Sequence, residues 1–390
     1  MEAFHFTEMA YPYIPEDYFE RGGARVILPN AIYDREKGHR LYNDLLDQHE
    51  YADQLGYHVF LNEHHQTITC VNSAVSVTAG ALVRRTKQAK ILILGNAISN
   101  REQPLRVAEE IALLDSISCG RILCGFLRGV PGEVHPSNVN PAFNRERFME
   151  AHDLIVKSWT TPEPFAWEGK HYQYRYVNIW PQPYQQPHPP IWVSGVGTTE
   201  TVDWAAAMGY TYAIFLAPWD VTARLFDRYR EKAREAGRLE PGPDRFAYLL
   251  LLYVGESEEQ AQRDGRGLEF YLRMRQRRGF WFPPGHSPVD ATAKGWAAGT
   301  KSAGPGGAVK LSWEDYQDRG IAVIGTPDKV IKRIRELYDQ TGVGNLLMMM
   351  HSGDMSNEVV MRSQKLFATE VLPAIREFDK TPRQPQAAAT

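Results

Sequence analysis

Eight short apolar runs, separated by segments with helical periodicity, constrain this chain more than any other feature. The runs occupy residues 3–9, 57–63, 90–98, 121–127, 191–195, 210–216, 246–254 and 344–350. Helical patterns lie at 40–55, 72–84, 104–118, 144–159, 198–208, 220–236, 257–277 and 357–378. Runs such as ILCGFL are apolar throughout rather than at alternate positions, which is the pattern of strands covered on both faces. Such strands alternating with helices predict a parallel sheet, and eight repeats predict a (β/α)8 TIM-type barrel with insertions. An open doubly wound sheet is the alternative. Against it, no G-x-G-x-x-G follows the first run.

Composition narrows the function classes. A net charge of −3, from 44 basic and 47 acidic residues, gives no global field for nucleic acid or a membrane surface. The basic runs at 85–87 and 273–278 read as solvated helix faces. Three cysteines, Cys70, Cys119 and Cys124, do not make a disulfide framework, and the latter two read as small core residues. The amino terminus MEAFHFTEMAYP lacks the basic and apolar regions of a signal peptide, and no run nears the roughly 18 apolar residues of a membrane span. A cytoplasmic protein is expected, with residues 1–380 as one domain and 381–390 as an unstructured tail.

Residues 104–133 are the densest stretch. Pro104 suits a first helical position, and Leu105, Ala108, Ile111, Ala112 and Leu114 recur at helical spacing before Gly120. The strand ILCGFL then ends at Arg128-Gly129, followed by VPGE. An arginine beside glycine at the carboxyl end of a strand suits a grip on phosphate or carboxylate. A second anion-binding element is Ser194-Gly195-Val196-Gly197-Thr198-Thr199. Its backbone N–H groups, threonine hydroxyls and following helix amino terminus all favour negative charge.

In a barrel, polar residues at carboxyl ends of strands face the site. They include Thr7 and Glu8, residues 62–65, Asn96, Arg128, Ser194 and His351. His64 and His65 are adjacent, so on a regular strand they point to opposite faces and cannot share one metal. With no H-E-x-x-H spacing, no metal site is expected. A histidine at the mouth suits hydrogen-bond donation or proton shuttling near neutral pH. Glu8 suits either a hydrogen bond to ligand or a cap on its own loop.

RVAEEIALLDSISCGRILCGFLRG closely resembles the signature segment of the bacterial luciferase-like flavin-dependent monooxygenases. LNEHH, PPIWVSG, VIGTPDKV and QTGVGNLLMMM follow the family in the same order, from about Tyr51 to about Phe378. The family is barrel-shaped. The resemblance implies that His64 lies by the reacting part of the flavin, with His65 supporting it. It implies that the flavin ring packs against Asn96 and Ala97, over a strained, non-prolyl cis peptide bond, and that Arg128 holds the phosphate. It also implies reduced FMN supplied by a separate flavin reductase, O2, a small organic substrate and a homodimer.

Two departures separate the chain from light-emitting members. Leu127 stands where they carry a reactive cysteine, and Gly195 and Val196 replace their acidic and serine residues. Hydride transfer with the deazaflavin F420, and non-catalytic flavin binding, are the competing readings. The glycine-rich excursion at 279–325 is expected to hold a mobile lid at 294–310. Trp281, Phe282, Trp296 and the 159–180 region offer aromatic walls for an apolar substrate, or ordinary packing.

Overall fold

In the computed structural model, each of the eight apolar runs forms a strand. The structure describes residues 1–15, 28–129, 131–134, 136–195, 199–275 and 311–378. In chain order the strands are β1 (Glu2–Thr7), β2 (His58–Leu61), β3 (Ile91–Ala97), β4 (Ile122–Leu127), β5 (Phe165–Glu168), β6 (Gln173–Val177), β7 (Ile191–Gly195), β8 (Thr211–Phe215), β9 (Phe246–Val254), β10 (Ala322–Gly325) and β11 (Asn345–His351). Parallel pairing runs β1-β2-β3-β4-β7-β8-β9-β11 and returns to β1, closing an eight-stranded barrel. Closure removes both sheet edges, which an open doubly wound sheet would leave exposed. The alternative architecture is therefore ruled out.

Successive strand residues divide between two apolar clusters. Phe4, Phe6, Phe60, Leu92, Leu94 and Met349 belong to one, inside the barrel. Ala3, Val59, Leu61, Ile91, Ile93 and Met348 belong to the other, beneath the helices. This two-sided burial explains why the runs are continuously apolar.

Seven helices matter for the site: α1 (Arg35–Gln54), α2 (Val75–Arg85), α3 (Leu105–Ser118), the single turn α4 (Pro131–Val134), α5 (Asn144–Thr160), α6 (Thr199–Met208) and α7 (Trp219–Glu235). Asp34 caps α1, its side chain accepting from the Lys37 N–H at 3.0 Å, so the helix begins five residues before the periodicity does. Residues 165–190 contain the small antiparallel hairpin β5–β6.

The excursion before β11 is more ordered at its end than its composition suggests. Ser312 and Asp315 form a capping box for the helix Trp313–Asp318, and β10 follows. β10 lies outside the barrel ring. Leu249 O accepts from Leu216 N, and Leu251 N donates to Ile321 O. Residues two apart on a strand address the same neighbour, so β10 extends the β8 side of the long strand β9 past the end of β8. The helix Pro327–Thr341 then leads to β11. The proposed lid at 294–310, Trp281, Phe282, Trp296 and the tail from 381 lie outside the described residues.

Candidate active site

At the carboxyl end of β1, Met9 adopts a left-handed conformation, φ 52°. Its N–H donates to Thr7 Oγ1 (3.2 Å), and its carbonyl accepts from Val71 N (2.9 Å). That bend leaves Glu8 buried at the mouth, facing the end of β2. There His64 Nε2 lies 3.2 Å from Glu8 Oε1, and His64 Nδ1 hydrogen-bonds Glu133 of α4. Both carboxylate side chains are only 5% exposed, whereas the imidazole keeps 17%. Burial on its own would depress the His64 pKa, but Glu133 and Glu8 outweigh it and push the pKa up to about 10. Asn62 Nδ2 donates to the other Glu8 oxygen (3.2 Å) and holds that carboxylate in place.

β2 ends at Leu61, so His64 and His65 lie in the loop beyond it, and His65 pairs with a different carboxylate. Its Nε2 lies 2.8 Å from Glu63, which also pairs with Arg101 and accepts from the Val75 N–H (2.8 Å). Glu63 thus caps α2, whose N-cap residue Ala74 has no side-chain acceptor. The two neighbouring histidines serve different clusters. Among the described residues, no group of three or more His, Cys, Asp or Glu side chains is arranged to hold a metal ion.

β3 reaches the mouth through a register shift between Ile93 and Asn96. Gly95 permits it, since a Cβ there would collide with the backbone of Asn62 and Glu63. Asn96 and Ala97 are buried beside β4, and Asn96 Nδ2 reaches Gly125 O at 3.4 Å. The Asn96–Ala97 bond is trans, which corrects the expectation of a cis bond. Among the described residues the cis bonds precede Pro181 and Pro187. A non-prolyl cis bond costs about 3 kcal/mol, and the shift at Gly95 brings this backbone to the mouth without it.

Arg128 leaves the end of β4 beside Gly129, whose φ of +73° suits only glycine comfortably. Ser99 Oγ (2.8 Å) and Asn144 Nδ2 (3.1 Å) both donate to the Arg128 carbonyl and fix its backbone. The side chain enters a pocket lined by Leu127, Arg145, Phe148, Ser194, Glu200, Thr201 and Trp204, between β4, α5, β7 and the start of α6. Burial, then repulsion from Arg145, lowers the Arg128 pKa against the opposing pull of Glu200. Two guanidinium groups thus share a pocket with one carboxylate, and the amino terminus of α6 adds partial positive charge. This arrangement fits a phosphate ester.

Ser194 lines the pocket, Gly195 ends β7 and Thr199 begins α6, whereas Val196, Gly197 and Thr198 lie outside the described residues. Sequence reasoning missed Arg145 and Glu133. Arg145 falls in the first turn of a helix already recognised, one turn before Phe148 and Met149 of the same pocket. Glu133 closes the VPGE segment, and no periodic signal marks it.

Other expectations change. His351 is buried, with Nδ1 2.7 Å from Thr7 Oγ1, and burial pushes its pKa down to about 4. Trp159 is core, stacked near Phe126 and donating to Ala108 O, while Trp180 is 80% exposed. These tryptophans therefore do not wall a common pocket. Cys124 is buried, but Cys119 is exposed, because it takes the left-handed position that ends α3.

Residues 26–345 match the family model for luciferase-like monooxygenases. The chain belongs to the luciferase-like monooxygenase family. One relative is the oxygenase component of a flavin-dependent trigonelline monooxygenase from Acinetobacter baylyi, 24% identical over 89% of this chain and 93% of that protein. The fold matches the oxygenating constituent of 3,6-diketocamphane monooxygenase from Pseudomonas putida in complex with FMN, with TM-score 0.72 and 20% identity over 95% of this chain and 98% of that one. It also matches an F420-dependent secondary alcohol dehydrogenase, with TM-score 0.66 and 19% identity over 86% of this chain and 95% of that one. In this luciferase-like monooxygenase, no helix among the described residues is long and apolar enough to cross a membrane.

Proposed function

We propose that this protein is the oxygenase of a two-component system, using reduced FMN and O2 to oxygenate a small, apolar organic substrate. The observation that carries the reading is one face of the barrel bearing two complementary features. A cation-rich pocket at Arg128 and Arg145 suits a phosphate, and a charged histidine at His64 lies at the mouth. Arg128, Arg145, Ser194, Gly195 and the segment through Thr199 would hold the FMN phosphate, with Asn96 and Ala97 beside the ring. Bound reduced flavin supplies two electrons with which O2 gives one oxygen atom to the substrate and one to water.

The protein's own residues position and protect. Apolar side chains of the barrel interior keep water from beneath the site, and His64 sets a charged ring between Glu8 and Glu133 at the mouth. His65, through Glu63, braces α2 and the β2 end that carry His64. No dinucleotide fingerprint was found in the chain, and the trigonelline relative is named as an oxygenase component, so a separate flavin reductase is the expected partner.

Anaerobic titration with pre-reduced FMN, followed by mixing with oxygenated buffer, tests this reading. Saturable binding and reoxidation kinetics distinct from free FMN are expected. No binding of reduced FMN, with tight binding of F420 in the same assay, would replace it with hydride transfer.

We also propose a homodimer. Leu113 and Ile117, four residues apart on α3, are each about half exposed, with the exposed Trp180 and Tyr184 on the segment packed beside that helix. Sedimentation should give twice the 44.3 kDa chain mass. A monomer would refute it.

A further inference from the structure

His64 is held from both sides by groups that accept hydrogen bonds when ionised and cannot donate. Glu8 arrives from the end of β1 and Glu133 from α4, and each takes one ring nitrogen. A neutral imidazole has a proton on one nitrogen only, so it would leave a lone pair facing a carboxylate inside a nearly closed site. Two proton-bearing nitrogens satisfy both partners. The described neighbours are engaged elsewhere. Glu8's second oxygen is occupied by Asn62 Nδ2, and the Cys70 thiol points to Asn62 Oδ1 at 3.6 Å. Glu63, a further acid among the described residues, is engaged by His65, Arg101 and the α2 amino terminus. Glu133 Oε2 faces Gly129, the residue after Arg128, so α4 links the histidine to the anion pocket.

We propose that Glu133 is a positioning residue which, with Glu8, fixes His64 as an imidazolium donating from both ring nitrogens. His64 then presents no basic lone pair to the barrel mouth and does not act as a general base. Its positive charge offsets part of the charge of the two carboxylates, which lets both stay ionised in a buried site. This assignment deepens the proposed function and rests on it for its catalytic meaning, but the charge state belongs to the protein alone.

The test therefore starts with the cofactor-free protein. Ring-nitrogen NMR of histidine-labelled protein, with the His64 signal identified by its loss in His64→Asn, should show both nitrogens protonated from pH 6 to pH 9. In Glu133→Gln, whose amide accommodates a neutral ring, the same signal should titrate inside that window, nearer the ordinary value of about 6.5. A neutral His64 at pH 8 in the native protein, or an unchanged titration in Glu133→Gln, would overturn the proposal. In turnover with reduced FMN, Glu133→Gln should lose at least about tenfold in kcat between pH 6.5 and pH 9, as one group deprotonates. The native enzyme and Glu133→Asp should keep a flatter profile over that range. Equal pH profiles for native protein and Glu133→Gln would remove the positioning role. Failure to bind reduced FMN with the NMR result intact would leave the clamp standing and remove the functional reading instead.

Discussion

The two halves of the mouth solve opposite electrostatic problems. On the β1–β2 side, a single imidazole is enclosed by two buried carboxylates, and each ring nitrogen has its partner within the protein. On the β4–β7 side, Arg128 and Arg145 crowd together, and Glu200 is the one acid among the described residues lining the pocket. The first half is complete as folded. The second has excess positive charge in a partly desolvated pocket, which a bound anion would relieve. One side is built to hold a fixed charge near the chemistry, and the other to recruit a ligand.

That division can be broken by separating binding from turnover. Replacing His64 by alanine should cut product formation by about a hundredfold or more, the scale of losing an electrostatic group in a site, because two buried carboxylates lose their cation, with the Kd for reduced FMN changing little. Parallel loss of both, in equilibrium binding and oxygen-coupled product assays, would remove the distinction between the halves. Arg128→Ala should do the converse. Loss of a charge-assisted hydrogen bond of about 1.5–3 kcal/mol weakens reduced-FMN binding roughly ten- to a hundredfold, with most of kcat recovered at saturation. An unchanged Kd would move the phosphate elsewhere.

A smaller effect sharpens the same comparison through stability. His64, raised to about 10, stabilises the fold fully below about pH 6.5, and the benefit is lost as pH rises through 10. His351, lowered to about 4, behaves oppositely. It is neutral in both states above about 6.5, and stability falls as pH drops toward 4 because the unfolded state takes the proton first. Urea midpoints across pH should therefore lose part of their alkaline limb in His64→Gln and part of their acid limb in His351→Gln. If either substitution flattened the wrong limb, the assignment of that histidine's environment would be incorrect.

Much of this was legible in the order of residues. Arg128 could be singled out because it ends an apolar run beside a glycine, and Ser194-Gly195 because it joins a run to a helix. Strand alternation was the wrong ground for separating His64 from His65, because β2 ends at Leu61; the loop beyond it sends them to different carboxylates. β10 was harder, because AVIG is too short to stand out and pairs only with the far end of β9. Arg145 looked like any charged residue in the first turn of a helix. Its role depends on where α5 packs against β4 and β7.

The sequence alone determined the barrel, because strands buried on both faces must be apolar throughout and their alternation with helices permits few closures. It also marked the strand ends from which polar side chains would emerge. Tertiary structure decided which of those side chains meet. The register shift at Gly95 set a trans path for Asn96–Ala97, and the fold of α4 carried Glu133 back across 69 positions to His64. Local pattern records how each segment buries its own apolar face. Charge pairing between distant segments depends on distances of a few ångströms that exist only once the barrel has closed.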